Sequence, residues 1–286
     1  MTSPVASGAE LAPGYMTIEL LRRGRDLDVY DVWSEERACR CVIKCVRPDR
    51  LDRDGVARRL LDEGRLLCRL THPHIVRAYE VTEEPLPIVV METLAGETVG
   101  HMIDREAELS APELAQLGLH LCSAIRYLHS HGILHLDLKP SNVIAECGRA
   151  KLIDLSVARP PGPAHAGIGT HYYLSPEQAR GGDLGPAADV WGIGVVLFEA
   201  ATGEPAFDDP DAPDDDDELY YGDSGSESLD ESDYPQLTAT ARRIDEHRPL
   251  PRELADLVAA CLDPEPELRP SVDELMRRLE PLGGET

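Results

Sequence analysis

The run His135-Leu-Asp-Leu-Lys-Pro-Ser-Asn142, followed twelve residues later by Asp154-Leu-Ser156, holds the residues with the clearest chemistry. An aspartate, a lysine two positions on and an asparagine five positions on place a proton acceptor, a cation and a metal ligand in one tight loop. Phosphoryl transfer asks for that set: a group that orients a hydroxyl, charge that stabilises the moving phosphoryl, and oxygen ligands for Mg²⁺. Far upstream, Lys44 sits in the apolar run CVIKC. Val56, Leu60, Glu63, Leu67 and Leu70 recur at spacings of 4, 3, 4 and 3, so Glu63 lies on the apolar stripe of a helix. A carboxylate buried there requires a charged partner.

The elements that must position these residues run strands first and helices after. Residues 16–22, 29–34, 39–46, 75–81 and 88–92 are short, apolar or β-branched runs separated by turn residues, and each reads as a strand. Ser110 with Glu113 three residues on forms a capping box ahead of a helix whose buried face is Leu114, Leu117, Leu121, Ile125 and Leu128. The nearly all-apolar run 187–201 predicts a helix buried on most sides, and 252–262 and 271–282 are amphipathic helices. Strands then helices predict an α+β fold of two lobes joined near residues 92–96.

Composition narrows the function classes. The 286 residues carry 53 Asp and Glu against 28 Lys and Arg, a formal charge of −25. That field repels phosphates, so neither nucleic acid nor an anionic membrane surface is expected as a partner. Thirteen of the acids fall within residues 208–233, where no basic residue occurs. Seven cysteines with no CxxC pair read as reduced, mostly buried thiols in a cytoplasmic protein; redox sensing by Cys39, Cys41 and Cys45 is the alternative. The N-terminus has no basic-then-apolar targeting pattern, and the longest apolar run, about ten residues, is half of what a membrane span needs.

With Asp137, Lys139, Asn142 and Asp154 in register, the chain resembles the eukaryotic-type serine/threonine protein kinases, in their bacterial form as a standalone catalytic domain, from about residue 15 to 282. The resemblance implies a bilobal fold: a small antiparallel β-sheet N-lobe (15–92) with one main helix, a hinge (93–96) and a larger helical C-lobe (97–286), after a flexible N-terminus (1–14). It implies that Asp137 accepts the substrate hydroxyl proton, that Lys139 stands by the γ-phosphate, and that Asn142 and Asp154 bind Mg²⁺ or Mn²⁺. Lys44 would contact the α- and β-phosphates of ATP and pair with Glu63. Gly24, Val29, Val42, Met91, Glu92, Leu94 and Ile144 would line the nucleotide site, Met91 as gatekeeper and residues 92–94 as the adenine-binding hinge. Glu177 would pair with Arg269, and Asp189 would brace the catalytic-loop backbone. The implied substrates are protein serines and threonines.

Departures from the family pattern carry their own expectations. Aligned on Val29-Tyr30, Arg22, Gly24 and Leu27 stand where three glycines are usual, so either nucleotide closure is looser or Arg22 and Arg25 supply charge. Val42 replaces the customary alanine over adenine, and Leu155-Ser156 replaces Phe-Gly. Leu136 stands where many kinases carry an arginine that pairs with a phosphorylated activation loop, and the stretch RPPGPAHAGIG has no hydroxyl. Activity independent of activation-loop phosphorylation is therefore expected. The segment 208–233 reads as a disordered insertion: an inert tether, or a surface that captures a basic partner or substrate or occludes the site's basic groups in cis. A non-catalytic kinase-fold scaffold is the competing reading.

Overall fold

The computed structural model describes residues 3–105, 109–207, 219–220 (backbone only) and 234–284. They fall into two compact units: Met1–Ala95 with Asp154–Ser156, and Gly96–Ile153 with Val157–Thr286.

The first unit is an antiparallel sheet of β1 (Glu10–Ala12), β2 (Tyr15–Arg23), β3 (Leu27–Ser34), β4 (Cys39–Val46), β5 (Ala78–Thr82) and β6 (Ile88–Glu92), in the order β1-β2-β3-β4-β6-β5, with α1 (Val56–Arg69) packed on it. Alternation along β4 divides its residues between two faces. Cys41, Ile43 and Cys45 join Tyr30, Val32, Ile88 and Val90 in a buried cluster. Val42 and Lys44 point the other way. The register places Val29 and Val89 opposite Lys44, and Met91 opposite Val42, so these five residues share one face. α1 covers that face closely because Gly64 has no side chain: a Cβ there would meet Val89 at 2.5 Å and Val81 at 2.7 Å.

The sequence places a flexible tail at 1–14, but the described part of it is ordered. β1 pairs with β2, the amide of Val5 donates to the Tyr30 hydroxyl at 3.0 Å, and Val5 and Leu11 pack on the cluster formed by the sheet's outer face. An apolar sheet face that would otherwise meet water is what holds this segment down. The strand expected at 75–81 starts only at Ala78; Ile75 and Val76 are buried beside a turn closed by the Ile75 amide donating to the His72 carbonyl.

The second unit opens with β7 (Glu97–Thr98), α2 (Val99–Asp104) and α3 (Ala111–Ser130), the last started by the Ser110–Glu113 capping box. β8 (Val143–Glu146) and β9 (Arg149–Leu152) complete a three-stranded sheet with β7. Then come β10 (Gly162–Ala164), β11 (Gly169–Thr170), α4 (Pro176–Arg180), β12 (Gly182–Leu184) and α5 (Pro186–Thr202). β10 pairs with β12, and β11 pairs with β13 (Leu219–Tyr220). The rest of the 208–233 stretch, expected to be without structure, lies outside the described residues. α6 (Pro235–Thr238) and α7 (Ile244–His247) follow as two short helices, because the chain is extended at Ala239 between β-branched Thr238 and Thr240. α8 (Arg252–Cys261) and α9 (Val272–Leu279) close the unit around α5, which is buried continuously from Ala188 to Ala201.

Gly96 shows how tightly β7 and β8 approach. A Cβ there would lie 2.0 Å from the Ala145 carbonyl oxygen and 2.7 Å from its carbon, both backbone atoms. Gly96→Ala is therefore expected to destabilise the protein by on the order of 3 kcal/mol, lowering the melting temperature by about 6–12 °C. An unchanged thermal melt would show that the β7 backbone can move aside.

Candidate active site

In the first unit, the Lys44 ammonium is the hub. Its Nζ donates to both oxygens of Glu63, at 3.0 and 2.9 Å, and to Asp154 Oδ2 at 2.9 Å. β4 presents Lys44 on the face that α1 covers, and the 4-3-4-3 spacing turns Glu63 toward it. Glu63 Oε1 also accepts from the Leu155 amide at 3.2 Å, and Asp154 Oδ1 accepts from the Ser156 amide at 2.8 Å. Two carboxylates thus share one cation, each with a backbone donor in addition.

The protonation pattern follows from burial against this pairing. Burial is the largest influence on Glu63, and with the negative Asp154 it outweighs Lys44 and pushes the carboxyl up to about 7. Burial also disfavours the charged forms of the other two. For Asp154 it is overcome by the Lys44 cation and the Ser156 hydrogen bonds, which hold the carboxyl well below the usual carboxylate range. For Lys44 it is overcome by Asp154 and Glu63, which raise the ammonium above its ordinary value. Asp154 is accordingly an ionised oxygen donor, and Lys44 a fixed cation.

The turn between β2 and β3 carries Gly24. Its carbonyl accepts from Arg47 Nη1 at 2.9 Å, the Arg25 carbonyl accepts from the same nitrogen at 3.3 Å, and the Gly24 amide donates to the Leu27 carbonyl at 2.8 Å. Arg23 pairs with buried Asp28 at 3.1 Å at the base of the turn. Nothing in the glycine-poor sequence suggested Arg47, yet it clasps the tip of this hairpin.

In the second unit, Asp137 is held on both sides. Its Oδ1 accepts from the Thr170 amide at 3.0 Å and the Thr170 hydroxyl at 2.7 Å, and its Oδ2 accepts from Asn142 Nδ2 at 2.9 Å. Asn142 Nδ2 also donates to the Asp137 carbonyl at 2.9 Å, and Lys139 Nζ donates to Thr170 Oγ1 at 2.9 Å. The loop that carries them is anchored by Asp189, which accepts from the His135 and Leu136 amides at 2.9 and 2.8 Å and contacts His129 Nε2 at 2.7 Å. Leu136 takes a left-handed backbone, φ +65°, at a cost of about 1–2 kcal/mol. Asp189 on its amide and Gln178 Nε2 on its carbonyl, 2.8 Å, fix that conformation and so set the direction of the next residue, Asp137.

The protein kinase domain family matches residues 15–279. The chain belongs to that family. Among curated relatives, the probable serine/threonine-protein kinase PknB of Lactococcus lactis is 34% identical over 211 residues, covering 70% of this chain and 33% of the relative. PknB of Mycobacterium tuberculosis is 34% identical over 179 residues, covering 58% and 29%. The chain thus spans about a third of the length of the relatives it matches. The crystal structure of the Mycobacterium tuberculosis PknI kinase domain has a TM-score of 0.71 at 21% identity, over 98% of this chain and 100% of that one, a likeness of fold.

Within this kinase domain, Lys44, Glu63 and Asp154 come together in one unit, and Asp137, Lys139 and Asn142 in the other. Val29, Val42 and Met91 share the sheet face of Lys44; Glu92 ends β6, with Leu94 just beyond it, and Ile144 lies on β8 opposite Lys151. Thr170 is the residue that reading the sequence left without a role. Its only signal there is the Gly-Thr pair ahead of Ser175-Pro-Glu. Glu177 and Arg269 form the expected bidentate pair at 2.7 and 2.9 Å, with Arg269 also donating to the Ala187 and Asp263 carbonyls and lying 5.0 Å over the Trp191 ring.

All seven cysteines are free, four of them buried. Burial pushes Cys41 up to about 11 and Cys45 up to about 12, which keeps both as unreactive thiols at neutral pH.

Proposed function

We propose that this kinase domain transfers the γ-phosphate of ATP to serine and threonine hydroxyls of proteins. The observation that carries the reading is the Asp137 carboxylate, aimed by Thr170 and Asn142 with the Lys139 ammonium on Thr170. A carboxylate so fixed accepts the proton of a substrate hydroxyl. That oxygen bonds to the γ-phosphorus, the bond from phosphorus to the β–γ bridging oxygen breaks, and ADP leaves with the electron pair. Lys139 places positive charge where the transferring phosphoryl gathers negative charge. Lys44, fixed by Glu63, serves the α- and β-phosphates, and Val29, Val42 and Met91 on its sheet face offer apolar surface for adenine; Gly24, Glu92, Leu94 and Ile144 are assigned to the nucleotide by the same reading. The relatives' names as serine/threonine kinases support the choice of hydroxyl.

Mg²⁺ is the metal this reading implies, and the Asp154 carboxylate and the Asn142 amide oxygen are each hard donors of the kind that would hold a cation which keeps waters and phosphate oxygens. When bound, it neutralises charge on the β- and γ-phosphates. Mn²⁺ suits the same donors. The direct test uses ATP labelled at either the γ- or the α-position with a generic basic protein. Label from γ on serine or threonine, lost on chelating the metal with EDTA, supports the proposal; label from α would indicate nucleotidyl transfer. Free thiols suit a reducing cytoplasm, and the acidic stretch 208–233 suits a basic protein partner; removing it and finding unchanged substrate KM at low salt would exclude that capture.

Packing around Leu136 supports independence from activation-loop phosphorylation. Leu136 is buried in an apolar cluster with Leu134, Leu184 and Ala188 and with Val157 and Ile168 of the activation segment; Ala164 packs alongside. β10–β12 pairing and Gln178, whose Nε2 donates to the Ile168 carbonyl at 2.7 Å, fasten the same segment. Burying a leucine is worth about 1.5–3 kcal/mol, comparable to what a phosphate–arginine contact would contribute. Treatment with a broad-specificity phosphatase is therefore expected to leave the rate within about twofold, a change too small to count as loss of transition-state stabilisation. Leu136→Ala should lower activity by loosening the segment. A large phosphatase effect traced to residues 154–177 would contradict this.

A further inference from the structure

β13 is the one described piece of the 208–233 stretch, and its position is informative. Leu219 pairs with Thr170 and Tyr220 with Gly169, antiparallel. Thr170 is the residue whose amide and hydroxyl hold Asp137 Oδ1 and whose hydroxyl receives Lys139. The edge of β11 thus runs beside the Asp137 carboxylate, and an extended peptide laid along it by strand addition would pass close to Asp137. In this chain Leu219–Tyr220 takes that edge.

We propose that the Leu219–Tyr220 strand is a tethered competitor, which occupies the β11 edge and must be displaced before a protein substrate can lie along it; the inference rests on the kinase reading above. Three features fit this role. The segment Leu219-Tyr220-Tyr221 has no serine or threonine, and the next one in sequence is Ser224, so the bound strand offers no aliphatic hydroxyl of its own. The ladder is two residues long, and so short a pairing is easily released. The tether compensates for weak pairing: its effective concentration is on the order of millimolar. A segment with an intrinsic dissociation constant of about 100 µM then holds the edge about ten to one, and raises the KM of a competing peptide about tenfold. The acids at 214–218 immediately precede the strand, so a basic substrate is the kind best able to draw it away.

The test uses two full-length variants, Leu219→Pro with Tyr220→Pro, which removes ladder donors, and Leu219→Gly with Tyr220→Gly, which keeps them but weakens the strand and serves if the proline variant does not fold. Two readouts are taken: binding of a fluorescein-labelled synthetic copy of residues 214–223, by anisotropy, and the KM and kcat for a basic serine peptide. The expected result is labelled-peptide binding about tenfold tighter to the variants than to the unsubstituted chain, with a KM about tenfold lower and kcat unchanged within twofold. Equal binding and equal KM in all three chains would overturn the competitor while leaving the kinase reading intact. A binding difference without phosphoryl transfer in any chain would uphold the competitor and overturn the kinase reading.

Discussion

Asp137→Asn is expected to lower phosphoryl transfer by about 10³-fold, the middle of the range for a lost general base, while leaving ATP affinity within about twofold, since Lys44 and its partners are untouched. The amide is nearly the same shape, so the loop keeps its path: Asp189 still accepts from the His135 and Leu136 amides, and Gln178 still holds the Leu136 carbonyl. What changes is the ability to take a proton. Because Oδ1 accepts two bonds from Thr170 and Oδ2 one from Asn142, an amide nitrogen must meet a donor on one side, at a cost of about 1–3 kcal/mol. A modest fall in melting temperature therefore accompanies the loss of rate. A steady-state assay showing less than a tenfold loss would remove Asp137 from its role.

Lys44→Ala carries the second large effect, and it acts on stability as well as on activity. Glu63 and Asp154 share Lys44 as their common cation, and removing one partner of a buried pair costs roughly 3–5 kcal/mol because the remaining charges are left uncompensated. The double variant Lys44→Ala with Glu63→Gln should recover part of that stability but none of the activity. A Lys44→Ala chain as stable as the parent in chemical denaturation would contradict the burial argument.

The same cluster predicts opposite pH trends for rate and stability. Glu63 is raised to about 7 in the folded protein, above its ordinary value, so the stability linked to it is full below its unfolded pKa and is lost as pH rises through 7. Its ion pair with Lys44, however, needs the carboxylate. Between pH 8 and 6 the rate should fall with an apparent midpoint near 7 that belongs to the Lys44–Glu63–Asp154 group as a whole, while the contribution of Glu63 to stability rises. Asp154, held below its ordinary range, contributes stability that is lost only under strongly acidic conditions. A rate profile flat across pH 6–8 would contradict the assignment.

The machinery was legible where a residue type conflicted with its setting. Glu63 on an apolar stripe calls for a cation, and Lys44, unremarkable by itself in a strand, is that partner. Glu177 and Arg269 were found through their motifs across 92 positions of chain. Thr170 was not found, because its part depends on the approach of a loop 33 residues from Asp137, and an isolated Gly-Thr has no periodicity to read. Arg47 escaped for a related reason: besides its pair with Asp49, it donates to the Gly24 and Arg25 carbonyls, which no sequence pattern marks. The N-terminal segment, rich in small residues, shows neither helical nor strand periodicity, and only the apolar sheet face reveals what it covers. The Leu219–Tyr220 strand was hidden by composition, since charge density at 208–233 argues against any paired backbone.

The most direct test of the central claim is phosphoamino-acid analysis of a basic protein incubated with γ-labelled ATP and Mg²⁺, with the unsubstituted chain and Asp137→Asn side by side. The account predicts phosphoserine and phosphothreonine with the first and a near-complete absence with the second. Equal labelling by both, or none by either while Mg-ATP still binds, would contradict it.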